Sequence, residues 1–116
     1  MPAPSQISIA TSSLNRLVKE VGSYHKESSQ QQARIAKLES GDIGEHEEDN
    51  AEFVLKQEKR ALEETKAMFP QLKTKIEDGQ SRLQTQLDSS SEATPEEVTK
   101  AKEALDGAST ILNEAA

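Results

Sequence analysis

The 116 residues carry 14 Lys and Arg against 21 Asp and Glu, a net charge of −7, with no Cys, no Trp, two Phe and one Tyr. This composition excludes a disulfide framework and thiolate zinc sites, and it gives nucleic acid no positive surface to meet. At 33% hydrophobic the chain is too poor in apolar side chains for an ordinary globular core, which leaves either disorder or long helices that bury a narrow a/d seam.

Periodicity decides for helices. From Ile7 the apolar positions step through Ala10, Leu14, Leu17, Val21 and Tyr24, pass two polar seam positions at Ser28 and Gln31, and resume at Ile35 and Leu38. Spacings of three and four alternate throughout, a heptad register, with Ile9 and Val18 widening the seam. Pro2 and Pro4 suit a lead-in, where a missing N–H is no loss. The first helix is expected over about residues 5–39. Ser40-Gly41 stops it, glycine supplying the left-handed conformation that ends helices. Residues 40–49 follow as an acidic loop.

The second helix is expected over about 50–88, capped by Asp49 or Asn50. Its seam reads Leu55, Glu58, Leu62, Thr65, Phe69, Leu72, Ile76, Gly79, Leu83 and Gln86, with Val54, Met68 and Leu87 alongside. Pro70 falls inside that pattern. It removes a backbone hydrogen bond and crowds the preceding turn, so a kink is expected there, but the register carries across it and one helix is read rather than two. After Ser89-Ser90-Ser91, the run Thr94-Pro95-Glu96-Glu97 is a helix start with a threonine cap, proline at the first position and a glutamate closing a capping box. The third helix, about 95–114, shows Val98, Ala101, Leu105, Ala108, Leu112 and Ala115 on one side, with Ile111 beside them, and its alanines point to close approach.

Short connections make antiparallel neighbours. The expected fold is therefore all-α: a single domain over residues 1–116, an up-down-up three-helix bundle with a shorter third helix. In that register Val21 faces Leu72, Leu17 faces Ile76, Ser28 faces Thr65 and Tyr24 faces Phe69, while Gly79 leaves room for Leu14. The third helix reaches back along the second only to around Leu72. Residues 24–38 against 50–68 are then a bare two-helix hairpin, a candidate surface for a partner or for self-association.

No catalytic constellation is present, and neither is a Gly-rich phosphate loop. His25 flanks the seam and reads as a surface or rim residue. His46 stands among Glu45, Glu47, Glu48 and Asp49, which reads as a solvated charge run rather than a metal site, since nothing in the pattern holds those ligands rigid. No apolar run nears the roughly 18 residues of a spanning helix, and no charged-then-apolar leader opens the chain. The expectation is a cytoplasmic, non-enzymatic protein without cofactor or metal, with no nucleic-acid or membrane partner. Charge is uneven: residues 1–38 are +3 and residues 39–116 are −10. The basic face of the first helix (Arg16, Lys19, Lys26) is either a solubilising flank or an electrostatic docking surface.

The segment Ile7-Ser8-Ile9-Ala10-Thr11, followed by Leu14-Asn15-Arg16-Leu17-Val18-Lys19-Glu20, resembles the opening of tubulin-binding cofactor A proteins. In that family an I-x-I-x-T stretch leads into a basic R-[LI]-V-K-E motif. Ser23-Tyr24-His25-Lys26-Glu27 is similar to the family's Y-x-K-E element, and Glu63-Glu64-Thr65-Lys66-Ala67-Met68-Phe69-Pro70 to its E-S-R-M-M-I-P segment. Phe69 stands where that segment has an aliphatic residue, and Lys66 where it has arginine. The resemblance spans about residues 7–88. It implies a three-helix bundle that takes β-tubulin after its release from the cytosolic chaperonin, on the way to the α/β heterodimer, with no nucleotide hydrolysis and no cofactor. Carried over residue by residue, the implied contact set is Arg16, Lys19, Glu20, Tyr24, Lys26 and Glu27 on the first helix, with Lys66, Met68 and Phe69 beside Pro70; Tyr24 and Phe69, being on the seam, also read as core. Some family members are dimers and others monomers. The rival expectation is a structural coiled-coil adaptor that homodimerises through its distal hairpin.

Overall fold

The computed structural model describes residues 5–41, 50–90 and 92–115. The lead-in prolines, the His46 cluster and most of the acidic loop lie outside those residues. Three helices follow in order, α1 (Gln6–Glu39), α2 (Ala51–Ser89) and α3 (Pro95–Ala115), and among the described residues there is no strand. The chain packs as two compact units, one of Met1–Gly22 with Pro70–Ala116 and the other of Ser23–Phe69.

Each helix begins and ends on local chemistry. Ser5 caps α1, its Oγ accepting the Ser8 N–H at 3.1 Å. Gly41 closes α1 with φ +79°, a conformation costly to a residue with a Cβ. At α3 the capping box is complete: Thr94 Oγ1 accepts the Glu97 N–H, and Glu97 Oε1 accepts the Thr94 N–H, both at 3.1 Å. Helix α2 continues through Pro70. One turn on, Thr74 Oγ1 donates to the Pro70 carbonyl at 3.1 Å.

The first unit is a three-helix bundle. Its core is Ile7, Ala10, Leu14 and Val21 from α1, Leu72, Ile76 and Leu83 from α2, and Ala101, Ala104 and Ala108 from α3. Leu14, Ile76 and Leu83 are the largest side chains wholly removed from solvent; cutting one to alanine costs about 2–5 kcal/mol. Three alanines facing inward let α3 approach closely. Its direction follows from its bonds: Glu97, in its first turn, meets Ser5 and Ser8 at the start of α1, so the two run parallel. Gln80 Nε2 of α2 donates to Ser109 Oγ of α3 at 3.1 Å. Gly79 sits against Leu14, where a built Cβ would lie 3.2 Å from Leu14 Cδ1. Gly79 therefore leaves the room that Leu14 occupies, as its place on the seam implied.

The second unit is an antiparallel hairpin made by the end of α1 and the start of α2. Arg34 pairs with Glu58 at 3.2 Å and Glu39 with Lys59 at 3.9 Å; both pairs are exposed enough to contribute little. Its buried residues are Ile35 and the polar Ser28, Gln31 and Thr65. The two hydroxyls are satisfied within their own helices, Ser28 Oγ by the His25 carbonyl and Thr65 Oγ1 by the Ala61 carbonyl, each at 3.0 Å. Gln31 Oε1 is buried without a partner. The hairpin's interior is thus a polar layer with few apolar anchors.

Candidate functional site

Of the nine residues implied as contacts, three lie in the first unit. Arg16, Lys19 and Glu20 are all exposed; at spacings of three and four they share one side of α1. The other six lie in the hairpin. Lys26, Glu27 and Lys66 are exposed, whereas Tyr24, Met68 and Phe69 are half-buried. The charged members therefore present themselves to solvent, and the apolar members divide their surface between packing and solvent.

Phe69 has a ring partner, and it is His25. Their centroids are 4.6 Å apart with the planes tilted by 30°. The register expected Tyr24 opposite Phe69 and His25 at the surface or rim. The imidazole is half-buried, and its Nε2 is enclosed without a hydrogen-bond partner. The register placed residues 24 and 69 opposite each other, but the seam is two residues wide, and the flanking position supplies the ring. His25 is therefore a residue of this region that the sequence pattern did not single out. Its only signal was its place immediately beside a seam tyrosine.

Among the described residues no three His, Cys, Asp or Glu side chains come together as metal ligands. Among the described residues the one carboxyl clearly moved from its ordinary value is Glu97, lowered first by the Ser5 hydroxyl and then by the Thr94 backbone N–H. It belongs to the helix-end contact of α1 with α3. The concavities are open grooves between helices, such as one of about 350 Å³ lined by Ser8, Thr11, Asn15, Glu97 and Lys100.

Residues 2–105 match the family described as tubulin binding cofactor A. The chain is 33% identical over 103 residues to tubulin-specific chaperone A of Mus musculus, covering 89% of this chain and 87% of that one. To tubulin-specific chaperone A of Saccharomyces cerevisiae it is 32% identical over 113 residues, covering 96% and 97%. A solved structure titled Rbl2p, β-tubulin binding post-chaperonin cofactor, superposes with a TM-score of 0.78 at 28% identity, covering 94% of this chain and 99% of that one.

Proposed function

We propose that this chain, which belongs to the tubulin binding cofactor A family, binds and stabilises free β-tubulin after its release from the chaperonin, in the pathway that assembles the α/β heterodimer. The reading is supported above all by the likeness to the solved β-tubulin binding cofactor along 94% of the chain. In this reading the protein is not an enzyme. It acts by mass action: a binder present at 100-fold its Kd stabilises the bound form by about 2.7 kcal/mol, which lowers the population free to aggregate. The place of action is the cytoplasm, beside the cytoskeleton.

The contacts proposed are Arg16, Lys19 and Glu20 in the first unit, and Tyr24, Lys26, Glu27, Lys66, Met68 and Phe69 in the hairpin. Their exposure fits that role: each charged member is solvent-facing, and each apolar member keeps part of its surface accessible. The chain mixed with purified β-tubulin should elute from gel filtration as a complex; separate elution at micromolar concentrations of both would overturn the reading.

One observation favours a second reading, an adaptor that pairs through its hairpin. Phe53 is 62% exposed on a unit whose buried residues are mostly polar, an unusual place for a large aromatic side chain. Sedimentation of the chain alone decides this reading: a concentration-dependent dimer lost in Phe53→Ser supports it, and a monomer throughout removes it.

A further inference from the structure

The first unit carries a groove whose lining residues all lie outside the proposed contact set. It runs between α1 and α2, with half-buried Leu17 accessible in it and Ala10 and Leu14 buried beneath. Gly79 brings no side chain into it, and Leu14 packs against the glycine there. Ile9 stands on the α1 wall 47% exposed, one of two large apolar side chains so open among the described residues. Gln6 and Ser13 complete that wall without charge, and the α2 wall carries Lys75, Asp78 and Arg82.

Three properties describe what fits. The volume, about 270 Å³, falls under the roughly 300–1,000 Å³ of small-molecule pockets, so it suits a few side chains of a larger partner. The walls extend from Gln6 to Leu17 and from Lys75 to Gln86, about three helical turns or ~17 Å. Helical walls of that length accept the ridge of another helix, read as anchors at i, i+3 or i+4, and i+7. The α2 edge is also net positive. Lys75 and Arg82 are seven residues apart, two turns along one edge, and among the described residues neither forms an ion pair, although Asp78 lies between them. Two uncommitted cations beside an apolar trough call for carboxylates on the partner.

We infer that this groove seats an acidic amphipathic helix of the β-tubulin client, its apolar ridge against Ile9 and Leu17 and its carboxylates on Lys75 and Arg82. The inference rests on the tubulin-binding reading and adds to it a surface and a chemistry of recognition.

The test uses the full chain and purified β-tubulin. Lys75→Glu with Arg82→Glu should weaken the complex about tenfold, as loss of two complementary charge contacts does. The control pair Lys73→Glu with Lys102→Glu, exposed positions outside the groove, should leave affinity unchanged. All four lysines and arginines are exposed, and circular dichroism should show equal helicity. In parallel, p-benzoylphenylalanine placed at position 9 should cross-link to a helical, carboxylate-bearing segment of β-tubulin. Equal affinity of the groove and control variants overturns the inference, as do cross-links confined to a second copy of this chain or to a basic segment. If the unaltered chain forms no complex, both readings fall; if it does and the groove variant binds equally well, only the groove falls.

Discussion

Glu97 of α3 accepts a hydrogen bond from Ser5, 92 positions earlier in sequence, while its other oxygen accepts the N–H of its own cap residue Thr94. One carboxylate therefore lies over the first turns of two parallel helices. Both ends expose unpaired N–H groups and the positive pole of a helix dipole, so a single negative charge serves two caps. The third helix is held to the first by this contact at its start and by small-residue packing along its length.

The pH dependence of stability should follow from this contact. The Ser5 bond, then the Thr94 N–H, hold the Glu97 carboxyl below its ordinary 4.5. A carboxyl depressed in the folded state contributes stability that is fully present above 4.5 and is lost as pH falls through the lowered value. Glu97→Gln cannot ionise, so the wild type should melt higher at pH 7 and the gap should close on acidification below 4.5. Because the group faces solvent, added salt should narrow the gap. Thr94→Ala should lose about 1 kcal/mol of cap energy, most of it retained on acidification, because the Thr94 side chain is a lesser cause of the lowered Glu97 value than Ser5. Thermal melts followed by circular dichroism read both; a gap independent of pH would remove Glu97's charge from the account.

Gly79 and Gly107 should respond in different ways to alanine. Alanine in a helix interior is favoured over glycine by about 0.8–1.0 kcal/mol. At Gly107 a new Cβ meets nothing within 4 Å, so Gly107→Ala should stabilise by about that amount. At Gly79 the Cβ would stand 3.2 Å from Leu14 Cδ1 and 3.9 Å from Leu17 Cδ1. Leu14 is fully buried and has little room to yield. Gly79→Ala should therefore gain clearly less than Gly107→Ala, or lose stability. Urea midpoints at constant m-value measure the difference.

Much of this fold was legible because a heptad seam reports directly on burial. Ile7, Ala10, Leu14, Val21, Ile35, Leu72, Ile76, Leu83, Ala101 and Ala108 lie on the seams read from spacing, and all are buried. Ala104 and Thr11 are buried as well, yet neither was on a seam. A helix packed against two neighbours buries a wider stripe than a single a/d line, and that width depends on a third element. The capping box of α3 was written in four adjacent residues, but the Ser5 and Ser8 hydroxyls that complete Glu97's bonding are remote in sequence and carry no local pattern. The same holds for His25, which meets Phe69 only through the hairpin's side-by-side packing. The groove at Ile9 was signalled only by an isoleucine flanking the seam; its rim of Lys75 and Arg82 belongs to another helix.

The polar layer of the hairpin should cost stability at one position. Ser28 and Thr65 satisfy their hydroxyls on their own backbones, whereas Gln31 Oε1 is buried and unpaired. A buried polar atom left unpaired costs about 1–3 kcal/mol, and leucine at an a/d position adds apolar burial. Gln31→Leu should therefore stabilise the chain by about 1–2 kcal/mol, read from the urea midpoint. Polar seam residues also fix register, so the same variant should be examined by sedimentation for new oligomers. No gain in stability would mean that Gln31 finds a partner in solution.

The charged and aromatic halves of the proposed contact set should separate in experiment. Arg16→Glu with Lys19→Glu changes exposed side chains of α1. It should leave helicity unchanged while weakening β-tubulin binding about tenfold, more at low salt than at high salt. Phe69→Ala removes a half-buried ring stacked on His25 at 4.6 Å. Its first effect should be on stability, about 1–3 kcal/mol given partial burial and loss of the ring contact. Binding measured well below the melting temperature then distinguishes a packing role from a contact role. Phe69→Leu restores apolar bulk and should recover most of the stability. If affinity recovers with it, Phe69 acts through packing; if affinity stays low while stability returns, the ring itself meets the client. Unaltered affinity and salt dependence in the Arg16 and Lys19 variant would remove electrostatic docking at that face.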